Sequence, residues 1–171
     1  MTDTWVHAIP ALLIRGDVRG RKRLQKLLYF LQEAEGQPLG LDYRMHYYGP
    51  YSPTLDARIQ LLAARGLVEE TTPADGVSKF SLSAGAEAQL GRTPPSLHES
   101  IDRVLEHFGR LTPNAIELLA TVHFLAQGRR EVGDELEGKL VDEVNAWKRP
   151  KYSRGQIVSA VRRLGELGYI R

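Results

Sequence analysis

No cysteine occurs in the 171 residues, which excludes disulfides, thiolate metal sites and a cysteine nucleophile and is compatible with a reducing compartment. Excess charge is nearly absent as well. The 23 Lys and Arg against 21 Asp and Glu leave a formal +2, too little for net charge alone to argue for nucleic acid, although local concentration still matters. Long apolar runs are missing. The longest near the N-terminus, WVHAIPALLI at Trp5 to Ile14, is about half a membrane span, contains Pro10 and has no basic segment before it, so neither a signal peptide nor a membrane anchor is expected. A cytoplasmic location is the default expectation. At this length roughly 70% of the unfolded surface can be buried on folding, and no disulfide or metal staple is required.

Catalytic signatures are the next absence. His7, His46, His98, His107 and His123 form no HExxH arrangement, no glycine-rich phosphate loop follows a strand, and no GxSxG is present. His123 lies in the apolar run TVHFLA and reads as a core histidine. Asp134, Glu135, Glu137, Asp142 and Glu143 read as a solvated helix face. The sequence therefore predicts a protein that is not an enzyme and that carries no cofactor and no metal.

What is present is mostly helical spacing. Trp5, Ile9, Leu12 and Leu13 share a face before Gly16, and in RKRLQKLLYFLQEAEG Leu24, Leu27, Leu28 and Leu31 do the same before Gly36, the pattern of two amphipathic helices. DYRMHYYG alternates and predicts a short strand ended by Gly49-Pro50. Ser52 followed by Pro53 is an N-cap with a first-turn proline, opening a helix that buries Leu55, Ile59 and Leu62 and stops at Gly66. LVEETT and SKFSLS flank the turn PADG and predict a hairpin, and SAGAEAQLG a brief helix. RTPPS at Arg92 to Ser96 is the best linker, since consecutive prolines break helix and strand. Four further helices are expected, over Ser96 to Gly109, Thr112 to Gly128, Val132 to Trp147 and Ser153 to Leu167. Ser96 with Glu99 and Ser153 with Gln156 have the spacing of reciprocal capping boxes, and Thr112-Pro113 that of a cap with a first-turn proline.

A helix pair, a third helix, and a hairpin make the pattern of a winged helix-turn-helix domain over residues 1–92, followed by a helical domain over 93–171. An imperfect repeat runs between the halves: KLLYFLQEAEG resembles ELLATVHFLAQG, and Tyr51-Ser52 faces Tyr152-Ser153. Either similar amphipathic helices produce this match by chance, or the second domain is a wingless, helix-turn-helix-like partial repeat. In the winged-helix reading Pro53 to Arg65 is the recognition helix, with Arg58 and Arg65 among its exposed candidates. Those residues are few for a DNA reader. The denser basic cluster is Arg19, Arg21, Lys22, Arg23 and Lys26, five cations with no acid among them, suited to neutralising phosphates or an acidic partner. WKRPKYSR at Trp147 to Arg154 interleaves aromatics with cations, a composition suited to stacking plus backbone contact. Tyr43, Tyr47, Tyr48 and Tyr51 either line a binding pocket or pack the strand and turn.

GRKRLQKLLYFLQ, then YYGPYS, then ARGLVEE together resemble the YwgA-like family of uncharacterised bacterial proteins, and more distantly the Panacea domain of antitoxins. The Panacea resemblance implies a module that binds a partner protein, with Tyr48 and Tyr51 as contact residues. Two functions are therefore expected in competition: a DNA-binding or transcription-regulatory protein contacting double-stranded DNA through Arg19, Arg21, Lys22, Arg23, Lys26, Arg58 and Arg65, and an antitoxin-like partner-binding module.

Overall fold

In the computed structural model, which describes residues 3–148 and 151–171, eight helices and five short strands follow one another among the described residues. The order is α1 (Thr4–Ile14), β1 (Val18–Arg19), α2 (Arg21–Glu33), β2 (Arg44–His46), β3 (Gly49–Tyr51), α3 (Pro53–Ala64), β4 (Val68–Thr71), β5 (Lys79–Leu82), α4 (Ala86–Gln89), α5 (Pro95–Phe108), α6 (Pro113–Ala126), α7 (Gly133–Lys148) and α8 (Arg154–Glu166). The protein is mainly helical with a small antiparallel sheet. Two compact units divide it, one made of residues 1–44 and 51–111, the other of residues 45–50 and 112–171.

In the first unit the sheet order is β1-β5-β4, antiparallel throughout, with Val18 opposite Phe80 and Val68 opposite Leu82. The expected hairpin is present as β4 and β5. The two-residue strand β1 is too short to leave a sequence pattern. Helix α2 is the centre of this unit: every residue from Leu24 to Phe30 is buried, as is Leu31. The single leucine face seen in the sequence is thus only part of what it buries. Phe30 stacks on Phe108 of α5 with ring centroids 3.9 Å apart, and each such fully buried large side chain contributes on the order of 2 kcal/mol. Helix α5 is grouped with this unit, and residues 45–50 and 112–171 with the other. Pro94 and Pro95 displace the expected cap. The helix starts at Pro95 behind Pro94, and Ser96 makes no N-cap bond.

The aromatic turn departs from expectation in one respect. Gly49-Pro50 does not end the strand but begins β3, and Tyr47-Tyr48 form the turn between the paired strands β2 and β3. Gly49 has φ 85°, a backbone region that glycine enters without the Cβ clash of other residues, which is why the turn can close there. Ser52 caps α3 as expected, its Oγ accepting from the Leu55 amide at 3.3 Å. Thr112 caps α6 in the same way, and Ser153 with Gln156 forms the full capping box of α8.

In the second unit α6, α7 and α8 each pack on the other two. Their core is Ile116, Val122, Leu136, Leu140, Val144, Ile157 and Leu164. His123 is also buried, and desolvation lowers its pKa to about 4, because a charged imidazolium loses its hydration there.

Candidate functional site

The cluster expected to meet phosphates is largely committed inside the first unit. Lys26 is 1% exposed, so it cannot reach a solvent-side phosphate: α2 is buried all round at that turn, which one-face periodicity does not reveal. Arg21 donates to Asp56 at 3.0 Å and to Glu70 at 2.6 Å. Arg23 donates to the carbonyls of Gly109 and Leu111 at 3.1 and 2.5 Å, closing the C-terminal end of α5, where carbonyls lack helical partners. Arg19 pairs with Asp75. Lys22 is partly exposed and engaged in an interaction of its own. Arg58 donates to the Leu39 carbonyl and lies over the Trp5 ring at 4.8 Å. Of the seven, only Arg65 is exposed with no partner among the described residues.

Around YGPYS the sequence reading missed two organising residues. Gln25 donates to the Ser52 carbonyl at 2.9 Å and accepts from the Ser52 amide at 3.0 Å, a reciprocal pair that satisfies buried backbone. Asp42 accepts from the Ser52 hydroxyl at 2.8 Å; hydrogen bonds from Thr54 and then Ser52 hold its carboxyl below the usual range. Tyr51 is half-buried and donates to Asp56, a bond that raises the phenol above its ordinary value. Tyr51 is therefore tied into the first unit's own polar network. Tyr48 is 50% exposed and Tyr47 62% exposed.

Those two tyrosines belong to the second unit, where a buried ionic cluster holds them. Glu117 of α6 is fully buried and pairs with the Lys148 ammonium at 3.1 Å, itself 1% exposed. The same carboxylate accepts from Lys151 at 2.9 and 3.1 Å and from the Tyr152 hydroxyl at 3.0 Å. Burial first, and the neighbouring Glu117 charge second, push the Tyr152 phenol far up. Two ammonium groups meet one carboxylate, a sum of +2 and −1 that leaves +1. The remaining donor capacity is spent on the aromatic turn: Lys148 donates to the Tyr47 carbonyl and sits 5.9 Å from the Tyr47 ring centroid, and Lys151 lies 5.7 Å from that of Tyr48 and 5.4 Å from that of Tyr152. Trp147, next in chain to Lys148, is 51% exposed.

Two features picked out separately in the sequence, the aromatic turn and WKRPKYSR, thus come together on Glu117. Arg149 of that stretch lies outside the described residues. The only clue to Glu117 in the sequence is a lone carboxylate opening the apolar run ELLATVHFLA. Chemically, the patch offers exposed aromatic faces beside cations that are fixed in place. Among the described residues no group of three or more His, Asp or Glu is placed to hold a metal ion, and no helix is long and apolar enough to cross a membrane.

No family model matches the chain. It is similar to a DNA ADP-ribosyl glycohydrolase of Thermus aquaticus, 35% identical over 139 residues that make up 77% of this chain and 36% of that protein. It is also similar to the uncharacterized protein YwgA of Bacillus subtilis, 27% identical over 161 residues, 91% of this chain and 90% of that protein. The second similarity supports the YwgA-like resemblance seen in LQKLLY and YGPYS. The first overturns the expectation that the protein is not an enzyme: a relative at 35% identity bears an enzyme's name. The chain spans about a third of that relative's length.

Proposed function

We propose that this chain engages DNA in the hydrolytic removal of ADP-ribose from it, gripping the strand with the exposed rings of Tyr47 and Tyr48 beside Lys151, while the buried Lys148 holds the turn in place. The observation that carries the reading is the patch itself, in which two large exposed aromatics, Tyr47 and Tyr48, accompany a fixed local excess of positive charge. Stacking of a base on an aromatic ring contributes about 1–3 kcal/mol, and nearby cations follow the phosphates. The similarity to the DNA ADP-ribosyl glycohydrolase supplies the substrate class. In the first unit, the helix order α1, α2, α3 with the antiparallel sheet β1-β5-β4 supports a winged helix-turn-helix reading.

The test pairs binding with turnover. A fluorescent single-stranded oligonucleotide is titrated at several salt concentrations, and release of ADP-ribose from an ADP-ribosylated oligonucleotide is followed with the same protein. Tyr48→Ala is expected to weaken binding roughly 5- to 100-fold, the loss of about 1–3 kcal/mol from one stacked base. No binding at low salt, where phosphate contacts are strongest, would remove the proposal.

A second reading, the partner-binding module, is favoured by the outward face of α3. Pro53, Ala57, Gln60, Leu61 and Ala64 are exposed and uncharged, a surface with no cation for a phosphate. It predicts a stable complex with the product of an adjacent gene on co-expression, disrupted by Leu61→Glu. A complex indifferent to that substitution would move the contact elsewhere.

A further inference from the structure

We propose that the groove between the N-terminal halves of α6 and α8 receives a short amphipathic helix from a partner protein, one that carries acidic side chains along its flank. The groove has a volume of about 700 Å³. Its floor is apolar, made by Leu118, Leu119 and Ala160, and its rim is polar, with Asn114, Gln156 and Arg163. Arg163 is the only charged residue lining it, and that guanidinium has no partner among the described residues.

Charge and floor together choose the occupant. From Val144 to Gly165 the sequence carries six basic residues and no acidic one; Lys148 and Lys151 are committed to Glu117 and Arg162 to Glu137, so the charge that faces the groove is that of Arg163. The excess lies in this unit: residues 112–171 hold ten Lys and Arg against eight Asp and Glu, whereas residues 1–111 hold thirteen of each. The caps Thr112 and Ser153 place the positive ends of both helix dipoles at the groove, which adds to the preference for negative charge. A nucleic-acid strand would satisfy the charge and leave the leucine floor without an apolar partner. An amphipathic helix satisfies both, its apolar stripe at i, i+3, i+4 and i+7 covering the floor and its carboxylates facing Arg163. The small side chains of Gly155 and Ser159 on the α8 side let a second helix approach closely. This site is distinct from the aromatic patch of the proposed function, so either can fail alone.

The experiment uses the full chain and a fluorescein-labelled synthetic peptide of about three helical turns, with leucines on one face and glutamates on its flanks, followed by anisotropy. A scrambled peptide of the same composition is the control. Ser159→Trp fills the groove from an exposed position, and Arg163→Glu reverses its charge. The expected result is binding of the amphipathic peptide in preference to the scrambled one, weakened roughly tenfold or more, about 1.4 kcal/mol, by either substitution. A version of the peptide with lysine flanks should regain binding to the Arg163→Glu protein. Equal binding of the scrambled peptide, indifference to both substitutions, no binding, or displacement of the peptide by an oligonucleotide would each overturn the proposal, the last reassigning the groove to nucleic acid.

Discussion

Neutralising Glu117 should cost the protein more than removing either of the lysines that face it, because the carboxylate is shared and the lysines are not. Glu117 is fully buried and accepts from Lys148, Lys151 and Tyr152. Glu117→Gln keeps the shape, removes the charge, and leaves the Lys148 ammonium at 1% side-chain exposure without its carboxylate. Stripping a buried ion of its partner typically costs about 3–5 kcal/mol. Lys148→Met leaves Glu117 still compensated by Lys151 and by the Tyr152 hydroxyl, so its cost is that of a weakened pair, on the order of 1–3 kcal/mol. In the double variant both charges are gone, and a buried pair replaced by neutral groups is often close to isoenergetic with the original. The double variant should therefore be more stable than Glu117→Gln alone. Urea unfolding followed by far-ultraviolet circular dichroism measures all four corners of the cycle. A coupling near zero, or a Lys148→Met loss as large as that of Glu117→Gln, would refute the charge-sharing argument. A functional readout accompanies the stability one. Lys148→Met also frees the Tyr47 carbonyl, and DNA binding should fall while the capping box of α8, farther along the chain, stays intact.

Three more outcomes are expected. Proton NMR should find His123 titrating near 4; because its folded value lies below the unfolded 6.5, the unfolded state takes up the proton first, and the stability held above pH 6.5 falls as pH drops toward 4, by about 3 kcal/mol in all. His123→Leu should flatten that limb of the pH profile, and a native titration near 6.5 would contradict the burial. Gln25→Ala should cost about 2–4 kcal/mol in thermal or urea unfolding, since it strands both the amide and the carbonyl of the buried Ser52; a loss under about 1 kcal/mol would mean water replaces the side chain. Gly66→Ala should cost about 1–2 kcal/mol, purely from the backbone at φ 72°, because a Cβ there meets nothing within 4 Å.

What was legible in the sequence is what is local. The caps at Ser52, Thr112 and Ser153 and the helix stop at Gly66 depend on residues a few positions apart, and the chain forms them. The Ser96 box failed for an equally local reason, since Pro94-Pro95 occupied the helix start. Charge was read less well. Whether Arg21 faces solvent is decided by Asp56 and Glu70, residues 35 and 49 positions away, and no pattern within the RGRKRLQK stretch encodes them. Lys26 illustrates a different blindness: periodicity identifies an apolar face, but a helix packed on several sides buries its other positions too, Lys26 and Gln25 among them. The patch at Glu117 was half legible. Its aromatics and cations stood out as two separate clusters, and the carboxylate that joins them, 31 residues before Lys148, did not.

The same distinction explains why the expectation of no enzymatic activity failed. Motif reasoning detects chemistries whose groups sit at fixed short spacing, such as HExxH or GxSxG. Glycosidic bonds are commonly cleaved by two carboxyl groups held about 5–9 Å apart across the scissile bond, and nothing requires those two to be neighbours in sequence. Twenty-one Asp and Glu give many such pairs, so absence of a motif carries little weight against a relative at 35% identity. Not every one of them can serve as the general acid, however. Glu117 is fully buried behind two lysines and a tyrosine, out of a substrate's reach, and Asp102 is held below the ordinary carboxylate range by Arg15 at 2.6 Å, so Asp102 is not suited to carry a proton to a leaving group near neutral pH. ADP-ribose release measured across pH therefore discriminates: substitution of Asp102 by Asn should leave the pH profile unmoved, and a profile that loses a limb on that substitution would return this carboxylate to the chemistry.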